Sequence, residues 1–247
     1  MKKTFFSVIS SFAQDHIQQD GKYFVRDGGP ALFICDSLKK LEVPFELFSG
    51  SGPCKTEIEI IHGVERGTFA SACAISLTQD VRGDAVIIST LLDEFPLEAC
   101  ATIRGAIGID LQGYVRKEKK EQKKFSVDPQ IARCWKVVKV TAAEAAMTDP
   151  DILADQKQRV LIVTDGSSPV QIWERGNFFE LTPKKIEVRN SLGAGDRFLT
   201  AFMVASQAGS SIRSAGEFAL EHVGRILENQ LDTRNTRANL ANTFDTP

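Results

Sequence analysis

The stretch "NSLGAGDRF", Asn190 to Phe198, sets two glycines around an alanine and follows them at once with an aspartate. Beyond Asp196 the apolar residues Phe198, Leu199, Phe202, Met203 and Ala205 recur at helical spacing, and Gly209 stands where that helix would end. Upstream, "KKIEV" (184–188) reads as strand-like. The segment therefore predicts a strand, a glycine turn, and a helix starting near Gly195 or Asp196. At a helix start several backbone N–H groups lack partners and carry partial positive charge. Glycine lets the backbone curl close to a ligand without interference from a Cβ. Together these features make an anion cradle suited to a phosphate. Asp196 then has two readings: a carboxylate favoured by the helix dipole, or a general base beside the cradle.

Around this turn, short apolar runs read as buried strands: "FFSVIS" (5–10), "AVIIS" (85–89), "AIGID" (106–110), "VVKV" (137–140) and "VLIVT" (160–164). Segments with helical spacing lie between them. In "GGPALFICDSLKKLEV" Leu32, Cys35, Leu38 and Leu41 fall close to one face, and "TAAEAAMTDPDILADQ" is a second helical candidate. Strands alternating with helices predict a layered α/β domain. "KTEIEIIHGVERGTFA" (55–70) departs from this pattern, alternating Glu and Ile before a turn at His62 and Gly63. It reads as a half-exposed hairpin: a lid over a site, a homodimer contact, or a plain edge strand. Residues 232–247 are polar and read as an irregular, loosely attached tail.

The chain's 247 residues suffice for one substantial domain. A net charge of −2 gives no global electrostatic case for nucleic acid or a membrane surface. The basic run Arg116 to Lys124 is broken by Glu118 and Glu121 and reads as a solvated face. Five cysteines without a CxxC pair point to reduced thiols and a cytoplasmic setting. The three histidines are dispersed, which gives a zinc site no support. The amino terminus, "MKKTFFSVISSFAQ", has a signal-peptide outline, but its serines dilute the apolar run and Phe5 to Ile9 reads as a first strand. No stretch is long enough for a transmembrane helix.

"NSLGAGDRFLTAF" resembles the D-T-x-G-A-G-D-x-F signature of the ribokinase-like (PfkB) carbohydrate kinases. Further matches follow in the family's order. "GGPALFICDSLKKLEVPFELFSGSG" resembles its N-terminal G-G-x-A segment, and "DLQGYVR" (110–116) a D-x-Q-G-x-x-R stretch. "KVTAAEA" (139–145) is similar to K-x-N-x-x-E-A, and "VLIVTDGSSP" (160–169) to the V-T-x-G-x-x-G strand and turn. In motif style the chain is closest to the archaeal and plant branch that includes inositol kinases.

The resemblance implies one ribokinase-like domain over residues 1–231. Its fold would be a three-layer α/β/α arrangement with a mostly parallel central sheet and a small, reduced β lid, its elements near 11–27 and 55–70. The implied activity is transfer of the ATP γ-phosphate to a hydroxyl of a small sugar or polyol. A nucleoside acceptor, or a catalytically impaired ligand-binding or regulatory module, are the alternatives. By resemblance Asp196 is the base, and the amides of Gly193, Ala194 and Gly195 form the anion hole. Asp15, in the segment following the first strand, would bind the acceptor with Gly28 and Gly29. Thr164, Gly166 and Lys139 would bind nucleotide, Arg116 is a candidate phosphate contact, and Glu144 would organise Mg²⁺ through water. Asn190 replaces the aspartate that helps bind a monovalent cation in many relatives, which casts doubt on such activation. Thr141 replaces an asparagine, and Pro169 stands where a glycine is common.

Overall fold

Phe6, Val8 and Ser10 point to one face of the first strand while Ser7 and Ile9 point to the other, and all five are buried. A strand covered on both sides belongs inside a parallel sheet flanked by helices. The computed structural model describes residues 4–19, 21–61, 64–120, 123–186 and 191–242, with the side chains of 60, 61, 64–70, 117–120 and 230–242 left aside.

In chain order the elements are β1 (Phe6–Ser10), β2 (Ala13–Gln19), β3 (Lys22–Gly28), α1 (Pro30–Lys40), β4 (Phe45–Phe48), β5 (Cys54–Ile61) and β6 (Val64–Ser71). There follow β7 (Ala85–Ser89), β8 (Ala106–Asp110), α2 (Gln112–Lys120), α3 (Pro129–Ala132), β9 (Trp135–Thr141), α4 (Ala142–Ala146) and α5 (Pro150–Lys157). The chain closes with β10 (Val160–Thr164), β11 (Val170–Glu174), β12 (Asn177–Leu181), α6 (Ala194–Gln207) and α7 (Ile212–Asn242).

The main sheet has eight strands in the order β12-β11-β10-β9-β8-β7-β1-β4. From β4 through β10 neighbouring strands run parallel, and β11 and β12 are antiparallel additions at one edge. The chain leaves β1 for β4 on one side, then returns to β7 on the other. Strand order therefore reverses between β1 and β7, and such sheets take ligands beyond their carboxyl ends at that reversal. Phe6, Val8, Ala85, Ile87, Val137 and Ile162 pack against α1, α6 and α7 through Ile34, Leu38, Phe198, Phe202 and Ala219. Ile9, Val86, Ile88, Ile109, Val138 and Val140 pack on the opposite face with Tyr114, Val115 and Ile152. The result is a three-layer α/β/α architecture with a mostly parallel central sheet, and each fully buried Ile or Leu contributes roughly 1.5–3 kcal/mol.

A second sheet, β3-β2-β5-β6, stands at the carboxyl edge of the first. Within it β2 and β5 run parallel, and the two hairpins flank that pair. Cys54 N–H donates to the Phe12 carbonyl at 2.8 Å, so both hairpins spring from one root. Segments 11–27 and 55–70 are thus parts of one sheet, and Asp15 sits within strand β2. The turn at His62 and Gly63 lies outside the described residues.

Several local expectations change. Lys184, Lys185 and Ile186 belong to no strand, while Glu187 and Val188 lie outside the described residues; among the described residues the last strand is β12, and Pro183 just beyond it has no N–H to extend a ladder. "TAAEAAMTDPDILADQ" folds as two helices, because Asp149 caps a fresh start at Pro150 by accepting from Asp151 N–H. Past residue 231, where a polar, irregular tail is expected, α7 remains helical to Asn242. Among the described residues no helix is long and apolar enough to cross a membrane.

Candidate active site

Strand register places four polar residues in a row. Ser10 stands beside Ser89, Ser89 beside Asp110, and Asp110 beside Lys139, at or near the carboxyl ends of β1, β7, β8 and β9. By side-chain alternation each continues the face that packs on α6, and all four are buried. Ser10 Oγ donates to the Ser89 carbonyl at 2.6 Å. Lys139 Nζ donates to Asp110 Oδ2 at 2.6 Å, and the second Asp110 oxygen accepts from Gln112 N–H at 3.1 Å. A buried ion pair persists only when its remaining polar atoms are also satisfied.

The amino end of α6 lies over this row. Gly193 is its N-cap at φ 75, a left-handed conformation open chiefly to glycine, and the ring of Phe33 fills the space where its Cβ would stand. The Arg197 guanidinium lies 5.2 Å from the centre of the Phe33 ring and pairs with Asp36 of α1. A Cβ on Gly195 would come within 2.6 Å of Lys139 Nζ, so a buried ammonium sits directly behind this turn. Ala194 N–H donates to the Ser191 carbonyl at 3.0 Å and so closes the turn itself. Asn190 lies outside the described residues.

Asp196, in the first turn of α6, is buried, and its Oδ1 accepts from Ser89 Oγ at 2.8 Å. Ser89 Oγ in turn accepts from Gln112 Nε2 at 3.1 Å. Burial, and then the charge of Asp110, push the Asp196 carboxyl up to about 6, against the pull of Lys139, the Ser89 hydrogen bond and Arg116. Burial works against the charge of Lys139, but Asp110, Glu144 and Asp196 outweigh it and hold the ammonium above the usual lysine value. A carboxylate poised near neutrality beside a positive backbone turn can accept a proton while an anion is held next to it.

Across the sheet reversal, Asp15 is 3 % exposed. Its Oδ1 accepts from Thr56 Oγ1 at 2.6 Å, and Arg26 Nε lies 3.7 Å from its Oδ2. Oδ2 is buried without a hydrogen-bond partner, with Arg26 as its nearest charge. A Cβ on Gly28 would collide with this carboxylate. Gly29, the N-cap of α1 at φ 84, sits so close to the chain that a Cβ would meet Ala13 N at 2.5 Å. The glycine pair is what lets the strand, the carboxylate and α1 converge.

Thr164 ends β10 beside Thr141, and Gly166 takes φ 54 in the turn that follows. Both lie along the same carboxyl edge as Lys139. Glu144 serves a capping box: its Oε2 accepts from Thr141 N–H at 2.7 Å while Thr141 Oγ1 accepts from Glu144 N–H at 3.2 Å. The threonine in place of asparagine thus works as a helix cap. Arg116 of α2 acts electrostatically on Asp196. Ser89, Gln112, Phe33 and Thr56 join the site without having been singled out in the sequence. All four lie inside stretches quoted above, but nothing local marks them, and the pairing of Ser89 with Asp196 spans 107 positions.

Residues 78–224 match the family model described as pfkB family carbohydrate kinase. No curated protein sequence matches the chain. Among solved structures it is similar to the nucleoside kinase of Methanocaldococcus jannaschii, an archaeal member of the ribokinase family (TM-score 0.73, 17% identity, 92% of each chain covered). It is similar to Arabidopsis thaliana ribokinase complexed with ribose and ATP (TM-score 0.69, 12% identity, 89% of this chain and 91% of that one). It also resembles a pyrophosphate-dependent kinase in the ribokinase family complexed with a pyrophosphate analog and myo-inositol (TM-score 0.69, 20% identity, 87% and 92% covered).

Proposed function

The chain belongs to the pfkB family of carbohydrate kinases, and on that premise we propose that it transfers the γ-phosphoryl group of ATP to a hydroxyl of a small sugar or polyol. The observation that carries this reading is Asp196, a buried carboxylate raised to about 6 at the amino end of α6, facing the carboxyl edge of the sheet. Asp15, with Gly28 and Gly29 giving it room, holds the acceptor hydroxyls. Asp196 accepts the proton of the attacking hydroxyl as its oxygen bonds to the terminal phosphorus and the bond to the leaving oxygen breaks. Gly193 and Gly195 supply the amides that meet the transferring group, since Ala194 N–H closes its own turn. Lys139 behind Gly195, Arg116, Thr164 and Gly166 face the donor.

Magnesium fits this site as an ion carried by the donor phosphates. Among the described residues no cluster of three or more His, Cys, Asp or Glu could cage a metal, and one Glu144 oxygen is engaged in the helix cap. Glu144 would meet such an ion through water with its remaining oxygen, and the ion when bound would supply charge neutralisation. A nucleoside acceptor is the second reading, favoured by the likeness to the archaeal nucleoside kinase.

The test is phosphoryl transfer followed by ³¹P NMR, with MgATP or Mg-pyrophosphate, against ribose, myo-inositol and purine nucleosides. Asp196→Asn is expected to lower the rate by about 10²–10⁴, the contribution of a positioned base. Normal turnover by that variant would exclude Asp196 as base. Donor-induced thermal stabilisation with no transfer to any acceptor would identify a binding module instead.

A further inference from the structure

A carboxylate that takes a proton from one bound hydroxyl must present one particular oxygen to it. In Asp196 the two oxygens are not equivalent, because Oδ1 is taken by Ser89 Oγ at 2.8 Å. A serine hydroxyl can donate or accept, so something must decide which way its single proton points. Gln112 does so: its Nε2 donates to Ser89 Oγ at 3.1 Å, which directs the hydroxyl proton onward to Asp196. Gln112 is itself anchored, since its backbone N–H donates to Asp110 Oδ1 at 3.1 Å and Asp110 Oδ2 is held by Lys139 at 2.6 Å.

We infer that Ser89 and Gln112 are positioning residues for the phosphoryl-transfer base, forming a directed hydrogen-bond relay that pins Asp196 Oδ1 and leaves Oδ2 for the acceptor hydroxyl. This rests on the reading of Asp196 as the base. The relay also has an electrostatic consequence. Asp110 of β8, Lys139 of β9 and Arg116 of α2 are the charged groups acting on Asp196, and Glu144 of α4 acts on Lys139. Ser89 and Gln112 carry no charge, so removing either changes the hydrogen bonding of the carboxylate while leaving the charges around it in place. The Ser89 hydrogen bond favours the ionised form and keeps Asp196 competent as a base near neutral pH.

The experiment is a ¹³C NMR titration of the aspartate carboxyl resonances, with Asp196 assigned by its loss in Asp196→Asn. It needs neither donor nor acceptor. Ser89→Ala is expected to move the Asp196 midpoint upward by about one pH unit, the effect of losing one hydrogen bond to a charged group. Gln112→Leu is expected to move it in the same direction by less, and Ser89→Thr, which keeps the hydroxyl, to stay near the parent. Gln112 is only half-buried, so its variant carries the test if Ser89→Ala does not fold. Midpoints in Ser89→Ala or Gln112→Leu that overlay the parent overturn the relay. With an acceptor that supports turnover, the acidic limb of kcat is expected to shift upward in Ser89→Ala while the acceptor KM holds. Full activity in Asp196→Asn would instead remove the assignment of the base, and the NMR shift would still stand as a fact about the carboxylate.

Discussion

The phenyl ring of Phe33 stands where a side chain on Gly193 would have to go. One residue is on α1, beside the proposed acceptor side of the site, and the other caps α6, where the proposed phosphate cradle begins. Contact between them fixes the height of the cradle over the sheet.

Gly193→Ala therefore faces two penalties: a left-handed φ of 75 and a collision with the ring. We expect a loss of about 1–3 kcal/mol in stability and about 10²-fold or more in transfer rate, from displaced amides. Adding Phe33→Ala should relieve the collision but not the backbone strain, so the double variant should recover part of the melting temperature. Thermal melts of the parent, both single variants and the pair would show it.

Lys139 and Asp110 form an ion pair shielded from solvent. Lys139→Met leaves Asp110 buried and uncompensated, at an expected cost of about 3–5 kcal/mol in urea unfolding. Changing both together, Lys139→Met with Asp110→Leu, should cost much less than the single change. If the single variant unfolds like the parent, the pair is not isolated from water. On the proposed reading either variant also binds donor less tightly, because the positive charge behind Gly195 has gone.

The raised carboxyl of Asp196 links activity and stability to pH. If Asp196 is the base, as proposed, it must be ionised to act, so the rate should fall as pH drops through about 6. Stability runs the other way. The folded protein holds this proton more tightly than the unfolded chain, so the contribution of Asp196 to stability grows as pH falls from above 6 toward 4. Asp196→Asn, which never ionises, should exceed the parent in stability at pH 7–8 by on the order of 1–3 kcal/mol, a gap that closes near pH 4. Melts of both proteins across that range would reveal a constant or inverted gap if the burial argument fails.

Gly28→Ala would drive a methyl into the carboxylate of Asp15. Asp15 must then swing away from Thr56 Oγ1, losing a buried hydrogen bond worth about 1.5–3 kcal/mol. The acceptor KM should rise by tenfold or more with the donor KM unchanged. Equal rises in both constants would mean that the damage had spread beyond the acceptor side.

The layered fold was legible because the central strands are unbroken apolar runs, and because Asp196 with its glycines stands just ahead of a strongly patterned helix. What escaped was whatever depended on partners far along the chain. Nothing in "SFAQDHI", the segment that holds Asp15, announces that it will pair with both "KYFVRDG" and "CKTEIEI". "KKIEV" has a strand's composition, but its described residues, Lys184 to Ile186, follow Pro183 and join no strand. Ser89 closes an apolar strand and reads as an ordinary terminus; only register sets it under Asp196. Glu144 was matched to a metal role through the family motif, and the capping box that engages it follows from Thr141 three residues earlier, a local signal that could have been read.

The row from Ser10 to Lys139 draws one residue from each of four strands that the chain lays down over about half its length. No fragment can carry it, and no partly registered sheet can imitate it. Recovery of donor binding during refolding should thus trail the return of helical circular dichroism, since long-range strand pairing is slow to complete. On the proposed reading a donor analogue then becomes a conformational probe, expected to recognise only molecules in which the central parallel strands have all found their neighbours.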